Sequence, residues 1–372
     1  MHCSKCSQAA TETAPLENIL LPPRAKFGTR ARLKSPLALH LALALSVVAL
    51  VVLSSHSARA QEPYQFERDL VAKHRLYREV GAGFRQIRRG PNGNYYILTA
   101  PAPAVLIYDS SGKQTGQVPS VSGAAAKGAA LVYGESFDVD HDGRMVVCDR
   151  GANSVKIYSP AGALTTSISV SAPVSVVFLP GGEIAVASPE SDHLVTAYDL
   201  TGKIVRDYGD REEIADRSDV NAQVNFGHLA ADDAGNNYFY FDYLPEPTVR
   251  KFDRVGYLSL EISLKTLEFE PAAQAARKAI VRSQSDDKTI PSLHRIISAV
   301  GVDPQTQELW IAIGTLLMQF DKDGQRLYSF RTYLPNGARM DPSQIVVEPD
   351  RLLLGADPQG IYEFPKLAKI PK

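Results

Sequence analysis

Six polar or charged residues stand at the start of predicted inner strands, where their side chains could meet in one binding site. They are Arg85, Glu135, Asn225, His228, Arg295 and Asp341. Carboxylate and imidazole groups bind divalent cations, so Glu135, His228 and Asp341 are candidate ligands of Ca or Zn. Arg85 or Arg295 would then hold an anionic substrate, because a guanidinium pairs bidentately with a carboxylate. Such a set is typical of a metal-dependent hydrolase or lyase.

The same positions also contain residues that do not suit a metal. One of them offers only Ala172 and Pro173, and two others offer arginine. The histidines after residue 60 are scattered through different parts of the sequence, at His74, His141, His193, His228 and His294. The sequence therefore predicts no cofactor, and Ca or Zn binding belongs to the alternative hypothesis.

Other reactive patterns have structural explanations. The run Asp138–Asp142 has an aspartate at every second position, as in a calcium loop, but lacks the downstream glutamate and is interpreted as a turn. Cys3 and Cys6 form a C-x-x-C with no second pair, which is a weak metal or redox signal. Cys148 ends an apolar strand, where a buried, unreactive thiol is expected. The sequence has no G-x-S-x-G and no H-E-x-x-H.

The elements that position these residues form a repeat of strand, turn, strand, loop, strand, turn and strand. In one copy, Phe137–Asp149 holds two strands around a tight turn, Val155–Tyr158 is the third strand and Leu164–Ile168 the fourth. The first strands of the six copies begin near residues 85, 137, 174, 228, 299 and 344. Six copies predict an all-β fold, a six-bladed β-propeller of four-stranded antiparallel blades.

An aromatic residue followed by aspartate ends several of the third strands. Tyr108-Asp109 and Phe320-Asp321 are examples, in which we expect the ring to be buried between blades and the aspartate to cap the next turn. The run Val146–Asp149, followed by Asn153 and Val155–Tyr158, resembles an NHL repeat, and the resemblance extends over residues 74–364. It implies a propeller but is poorly specific for function. Lactonase-like and amidating-lyase-like propellers place a metal at the channel mouth, which is the basis of the enzymatic alternative.

The sixth copy ends after its third strand, Ile361–Phe364. The segment His74–Val80 belongs to no copy, and it resembles the fourth strands Lys203–Tyr208 and Gln325–Phe330. We therefore predict that this N-terminal strand completes the last blade, which closes the ring and removes its exposed edges.

The long irregular connections all fall on one face of the predicted ring, because strands alternate in direction within a blade. They are Val121–Glu135, Arg206–Asn225, Tyr243–Thr248, Lys265–His294 and Tyr333–Met340. Binding residues concentrate on such loops. The segment near 265–294 has alanines at helical spacing after Pro271, which predicts a helical insertion, a rim helix or a lid.

The first 60 residues are typical of an exported protein. Basic residues precede an apolar stretch at 37–53, and Ala58-Arg59-Ala60 predicts cleavage near 60/61. An uncleaved membrane anchor is the alternative, since a stretch of 17 residues, interrupted by His40 and Ser46, is at the short limit for a span. Residues 1–60 are thus an N-terminal extension plus signal peptide, and 61–372 are predicted to form a single propeller domain, periplasmic or extracellular.

Charge narrows the range of partners. Seven of the 40 basic residues and two of the 41 acidic residues lie in residues 1–60, which leaves the body with a net charge of −6. This acidic body disfavours nucleic acid as a partner. The leading hypothesis is a binding module that presents its loop-rich face to a protein, peptide or glycan. The alternative is the metal-dependent hydrolase or lyase with its site at the channel mouth, so enzymatic activity stays undecided.

Overall fold

A computed structural model describes residues 67–80, 82–100, 102–120, 128–265, 269–285 and 292–367. The apolar stretch 37–53, the expected cleavage near 60/61 and the Cys3–Cys6 motif lie outside these residues. Within the described part, no helix is long and apolar enough to cross a membrane.

The described chain begins with β1 (Glu67–Val71) and β2 (His74–Leu76), and six sheets follow in sequence order. Blade one is β3 (Phe84–Arg89), β4 (Tyr95–Thr99), β5 (Ala104–Tyr108) and β6 (Gln114–Val118). Blade two is β7 (Gly134–Val139), β8 (Met145–Asp149), β9 (Ser154–Tyr158) and β10 (Leu164–Ser169). Blade three is β11 (Ser175–Leu179), β12 (Glu183–Ala187), β13 (Val195–Asp199) and β14 (Ile204–Tyr208).

The second half of the ring repeats this arrangement. Blade four is β15 (Gly227–Ala231), β16 (Asn237–Phe241), β17 (Thr248–Phe252) and β18 (Leu258–Ser263). Blade five is β19 (Ala299–Val302), β20 (Leu309–Ile313), β21 (Leu316–Phe320) and β22 (Arg326–Tyr333). Blade six contains β23 (Gln344–Val347), β24 (Arg351–Ala356) and β25 (Gly360–Pro365). The predicted six-bladed propeller of antiparallel sheets is confirmed.

Two α-helices interrupt the long connections. Helix α1 (Ser218–Val224) precedes blade four, in a segment for which no helix was predicted. Helix α2 (Glu270–Gln284) lies within the predicted helical insertion, with Pro271 in its first turn. Its buried side chains, including Ala273, Ala276 and Ile280, are spaced by three or four residues, so one face of the helix packs against the protein. Single 3-10 turns are formed by Arg78–Val80, Pro91–Gly93 and Arg150–Ala152.

The N-terminal strand closes the ring, as predicted. Strand β2 pairs antiparallel with β25 in blade six, with His74 opposite Glu363 and Leu76 opposite Ile361. The strand is shorter than the expected 74–80, because Tyr77 has a φ of 48° and a 3-10 turn follows it.

Strand β1 adds a pairing that the sequence analysis did not predict. It lies parallel to β22, which makes blade five a five-stranded sheet. The N–H of Ala72 then donates to Tyr333 in blade five, and the N–H of Lys73 donates to Glu363 in blade six. The N-terminal segment therefore joins two neighbouring blades.

The hydrophobic core lies between the blades. The aromatic residues at the ends of the third strands are buried, as expected: Tyr108, Tyr158, Tyr198, Phe252, Phe320 and Phe364. Cys148 and Trp310 are also buried. The aspartates that follow act as turn caps, as Asp109 does by accepting the backbone N–H groups of Ser111 and Lys113. Hydrogen bonds to Ser111 and Lys113 hold the pKa of Asp109 below its usual value.

Candidate functional site

A cavity of about 220 Å³ lies where the inner strands begin, and five of the six blades line it. Four of the six predicted site residues line this cavity: Arg85, Glu135, His228 and Arg295. Polar lining residues that were not predicted include Gln86, Arg88, Ser136, Tyr240, Gln344 and Asp357.

Side chains from neighbouring blades hold the inner strands together around the channel. Gln86 Oε1 accepts the N–H of Phe137 at 2.7 Å, which links blade one to blade two. Ser175 Oγ accepts the N–H of Leu229 at 3.0 Å and links blade three to blade four. These bonds satisfy inner-strand donors that have no partner within their own sheet. The strands that carry the site are therefore fixed relative to one another.

Arg85 and Glu135 occupy equivalent β-bulges in adjacent blades. The register of β3 with β4 shifts between Phe84 and Gln86, so Arg85 is the extra residue. In β7 the shift falls between Gly134 and Ser136, so Glu135 is the extra residue. A bulge re-aims a side chain and is common beside functional sites.

Both side chains carry a buried polar atom that has no hydrogen-bond partner among the described residues, Nε of Arg85 and Oε2 of Glu135. The guanidinium of Arg85 lies 4.3 Å from the ring centroid of Tyr133, in a cation–π contact. The Glu135 side chain is 10% exposed, and its Oε2 is 4.0 Å from Nη1 of Arg150.

A buried ion pair anchors the loop that carries Tyr133. The Asp149 carboxylate accepts the backbone N–H groups of Val132 and Tyr133. Nζ of Lys156 donates to Asp149 at 2.7 Å and to the carbonyl of Ala130 at 2.6 Å. Both ionised side chains are almost fully buried. The end of this loop is therefore held rigidly beside the cavity.

His228 and Arg295 share one buried carboxylate, that of Asp242. Nδ1 of His228 lies 3.0 Å from Oδ1 of Asp242, and Nη2 of Arg295 lies 2.8 Å from Oδ2. Burial opposes the charge of Arg295, but Asp242 and nearby tyrosines outweigh this effect and raise its pKa above its usual value. The imidazole of His228 also stacks on Tyr240, with ring centroids 5.6 Å apart. Burial, and then Asp242, raise the pKa of Tyr240.

Asp242 was missed by the sequence analysis, although the repeat contained a signal for it. It follows the second strand of blade four, and second strands end on the face where first strands begin. Asp357 holds the corresponding position in blade six and accepts the N–H of Gly83 at 2.8 Å, and Asp149, one position earlier in its own blade, is the last residue of β8. Aspartates at this repeat position thus organise the mouth of the channel.

Asn225 and Asp341, the other two predicted residues, are not among the residues that line the cavity. Asn225 follows α1 and is buried, and its amide bonds to the backbone N–H and carbonyl of Glu212. This side chain therefore fixes the loop before it. Asp341 is exposed, in the connection between β22 and β23.

The predicted metal ligands Glu135, His228 and Asp341 do not form a ligand set. Among the described residues, the only three such donors within 4.8 Å of one another are Asp140, His141 and Asp142. The carboxylate of Asp140 instead accepts backbone N–H groups of the turn and Nε of Arg144. This agrees with the interpretation of the aspartate run as a turn.

No family model matches the chain, and no curated protein matches its sequence. Among solved structures, the chain is similar to a calcium-binding protein, regucalcin, from Agrobacterium tumefaciens str. C58, with 13% identity, a TM-score of 0.51, and coverage of 81% of this chain and 96% of that chain. A virginiamycin B lyase from Staphylococcus aureus has 15% identity and a TM-score of 0.47, with 80% and 88% coverage. A putative exported protein from Bacteroides fragilis has 13% identity and a TM-score of 0.49, with 82% and 94% coverage. At 13% identity, the similarity to regucalcin supports a shared fold and nothing about activity.

Proposed function

We propose that this chain is an exported β-propeller that binds a protein or peptide partner at its loop-rich face. The observation that carries the proposal is the rigid, charged channel mouth on the same face as the long connections. Val132 and Tyr133, on the loop anchored by Asp149, expose 63% and 37% of their surface. Exposed apolar side chains next to arginine are typical of interaction surfaces.

Export is supported by the predicted signal peptide in residues 1–60, which places the propeller in the periplasm or outside the cell. Fractionation of cells that express the full chain, followed by mass spectrometry of its N-terminus, tests this. We expect a mature protein that begins at Gln61. Uncleaved chain in the membrane fraction would favour the anchor instead, and uncleaved chain in the cytoplasm would contradict export.

A metal-dependent hydrolase or lyase is a weaker proposal. It needs Glu135, His228 and Asp341 to converge, and their donor atoms do not form such a group. What supports an enzyme is the His228–Asp242 pair, because a carboxylate at Nδ1 orients an imidazole for proton transfer.

Peptide and glycan arrays probed with the purified protein test the binding proposal. The double variant Val132→Ser with Arg150→Gln removes an exposed apolar group and a cation from the loop-rich face. We expect it to lose at least about tenfold in affinity for the selected peptides, whereas Arg254→Gln in the β17–β18 turn of the opposite face should bind like the wild type. Selection of glycans only, or equal losses in both variants, would contradict a peptide site on this face.

A further inference from the structure

We propose that the cavity at the channel mouth binds a small zwitterion of the α-amino-acid class, with the carboxylate at Arg85 and the ammonium at Glu135. This site is separate from the proposed partner surface, and either proposal can hold without the other. Its basis is the placement, pairing and size of the groups that line the cavity.

The placement of the two charges is specific to blades one and two. Six inner strand pairs form the ring, and in the described residues only β3–β4 and β7–β8 carry a bulge in this pairing. The extra residue is Arg85 in the first pair and Glu135 in the second. Two adjacent blades therefore direct opposite charges into one cavity, from equivalent positions.

Ion pairs engage Arg88 and Arg295, the other two arginines of the cavity lining, and leave Arg85 and Glu135 available to a ligand. Arg88 lies 3.6 Å from Asp138, and Arg295 is paired with Asp242. For Arg85, no carboxylate oxygen of the described residues lies within the 4.0 Å of an ion pair, and Glu135 reaches only Arg150, at that limit. Arg85 and Glu135 both line the cavity. A ligand with a carboxylate and an ammonium group would therefore give each of these side chains a charge-assisted partner.

The size of the cavity restricts the ligand. Its volume of about 220 Å³ lies below the range of about 300–1,000 Å³ that is typical of sites for drug-sized molecules. Leu229, Ala299, Val300 and Ile345 form an apolar part of the lining. We therefore infer a preference for amino acids with small side chains, and L-alanine and L-valine are suitable probes.

Isothermal titration calorimetry with L-valine and two analogues tests each charge separately. 3-Methylbutanoic acid lacks the amine, and 2-methylpropylamine lacks the carboxylate. We expect L-valine to bind and each analogue to bind at least about tenfold more weakly, because each analogue loses one charge-assisted interaction.

Two substitutions assign the charges to residues. In Glu135→Gln, affinity for L-valine should fall to near that for 3-methylbutanoic acid, because the partner of the ammonium is lost. In Arg85→Gln, the advantage of L-valine over 2-methylpropylamine should disappear. Arg254→Gln and Asp323→Asn, in turns of the opposite face, are matched controls with unchanged binding expected. Should Arg85→Gln fail to fold, Arg85→Lys keeps the charge, and L-valine should bind it more weakly than it binds the wild type.

The proposal is overturned if neither L-alanine nor L-valine binds the wild type, or if both analogues bind as tightly as L-valine. It is also overturned if binding survives unchanged in Arg85→Gln and Glu135→Gln. Loss of peptide binding in Val132→Ser alone, which keeps Arg150 beside Glu135, with L-valine binding intact would show that the sites are separate. Peptide binding by a protein that binds no amino acid would refute this inference alone.

Discussion

The contact between Glu363 and the N-terminal segment determines how firmly the ring is closed. The Glu363 side chain is 9% exposed, and it accepts from Lys73 Nζ at 2.9 Å and from Arg351 Nη1 at 2.8 Å. Glu363→Gln removes the charge and keeps the shape. A hydrogen bond to a charged group contributes about 1.5–3 kcal/mol, and a pair with an exposed lysine about 0–1 kcal/mol. We expect the free energy of unfolding to fall by about 2 kcal/mol, because the amide oxygen still accepts a weaker bond.

Calorimetry and hydrogen exchange measure this effect. At about 2.1 cal/mol/K per residue over roughly 300 residues, a loss of about 2 kcal/mol lowers Tm by about 3 °C. Exchange should accelerate at the amide of Lys73, which donates to the carbonyl of Glu363. Glu261→Gln is the control. Glu261 lies on β18, the outer strand of blade four, and pairs with Arg250 of β17, far from the closure. If exchange at Lys73 is unchanged in Glu363→Gln, or if the control lowers Tm equally, this side chain does not secure the closing strand.

The pH dependence of closure has a defined sign. Burial alone would raise the pKa of Glu363, but Lys73 and Arg351 outweigh burial and hold that pKa below its usual value of 4.5. A carboxyl group of this kind stabilises the fold above its unfolded pKa, and the stabilisation is lost as pH falls through its folded pKa. The difference in Tm between wild type and Glu363→Gln should therefore shrink as the pH is lowered below 4.5. A difference that grows on acidification would contradict this assignment.

Three further substitutions probe contacts near the channel. Asp149→Asn leaves Lys156 buried without its counter-charge, so urea unfolding should reveal a loss of about 3 kcal/mol; an unchanged midpoint would refute the anchoring role of the pair. Asp242→Asn weakens the bonds to His228 and Arg295 and should lower the unfolding free energy by about 2 kcal/mol in the same assay, whereas wild-type stability would mean that the shared carboxylate is not needed. Gly227→Ala would place a Cβ 2.3 Å from the carbonyl oxygen of Tyr240, so we expect a loss of about 1–3 kcal/mol. Gly116→Ala is the control, because the nearest atom to its Cβ is 3.7 Å away, and we expect its unfolding free energy to change by less than about 0.5 kcal/mol. Equal losses in the two alanine variants would contradict the close approach at Gly227.

The ring and its closure were predictable because the repeat fixes them locally. Turn glycines recur in the first five blades and buried aromatics in all six, and the missing fourth strand of the last blade requires a partner from elsewhere in the chain. Strand β1 was not predictable in this way. Its sequence, Glu67–Val71, lacks the alternation of a half-buried strand, and its partner β22 is about 260 residues away.

The candidate site was only partly predictable, because repeat position locates a residue on a face but does not fix the direction of its side chain. Arg85 and Glu135 line the cavity through bulges, which the sequence pattern does not reveal. Asn225 was expected at the mouth, but it follows α1 and bonds to Glu212 instead. Asp242 was not predicted because it follows a second strand, whereas the predicted site residues stand at the starts of first strands.

The pairing of β2 with β25 restricts when the ring can close during folding. Lys73 and Glu363, whose side chains are hydrogen-bonded, are 290 residues apart, so β2 is synthesised long before its partner β25. Contacts of such separation form slowly and leave strand edges exposed in the meantime. A chain that terminates before Gly360 would offer β2 no partner, and its open edges would be free to recruit strands from other molecules. Ring closure therefore requires a chain that contains β25, and a chain truncated before Gly360 cannot close the ring.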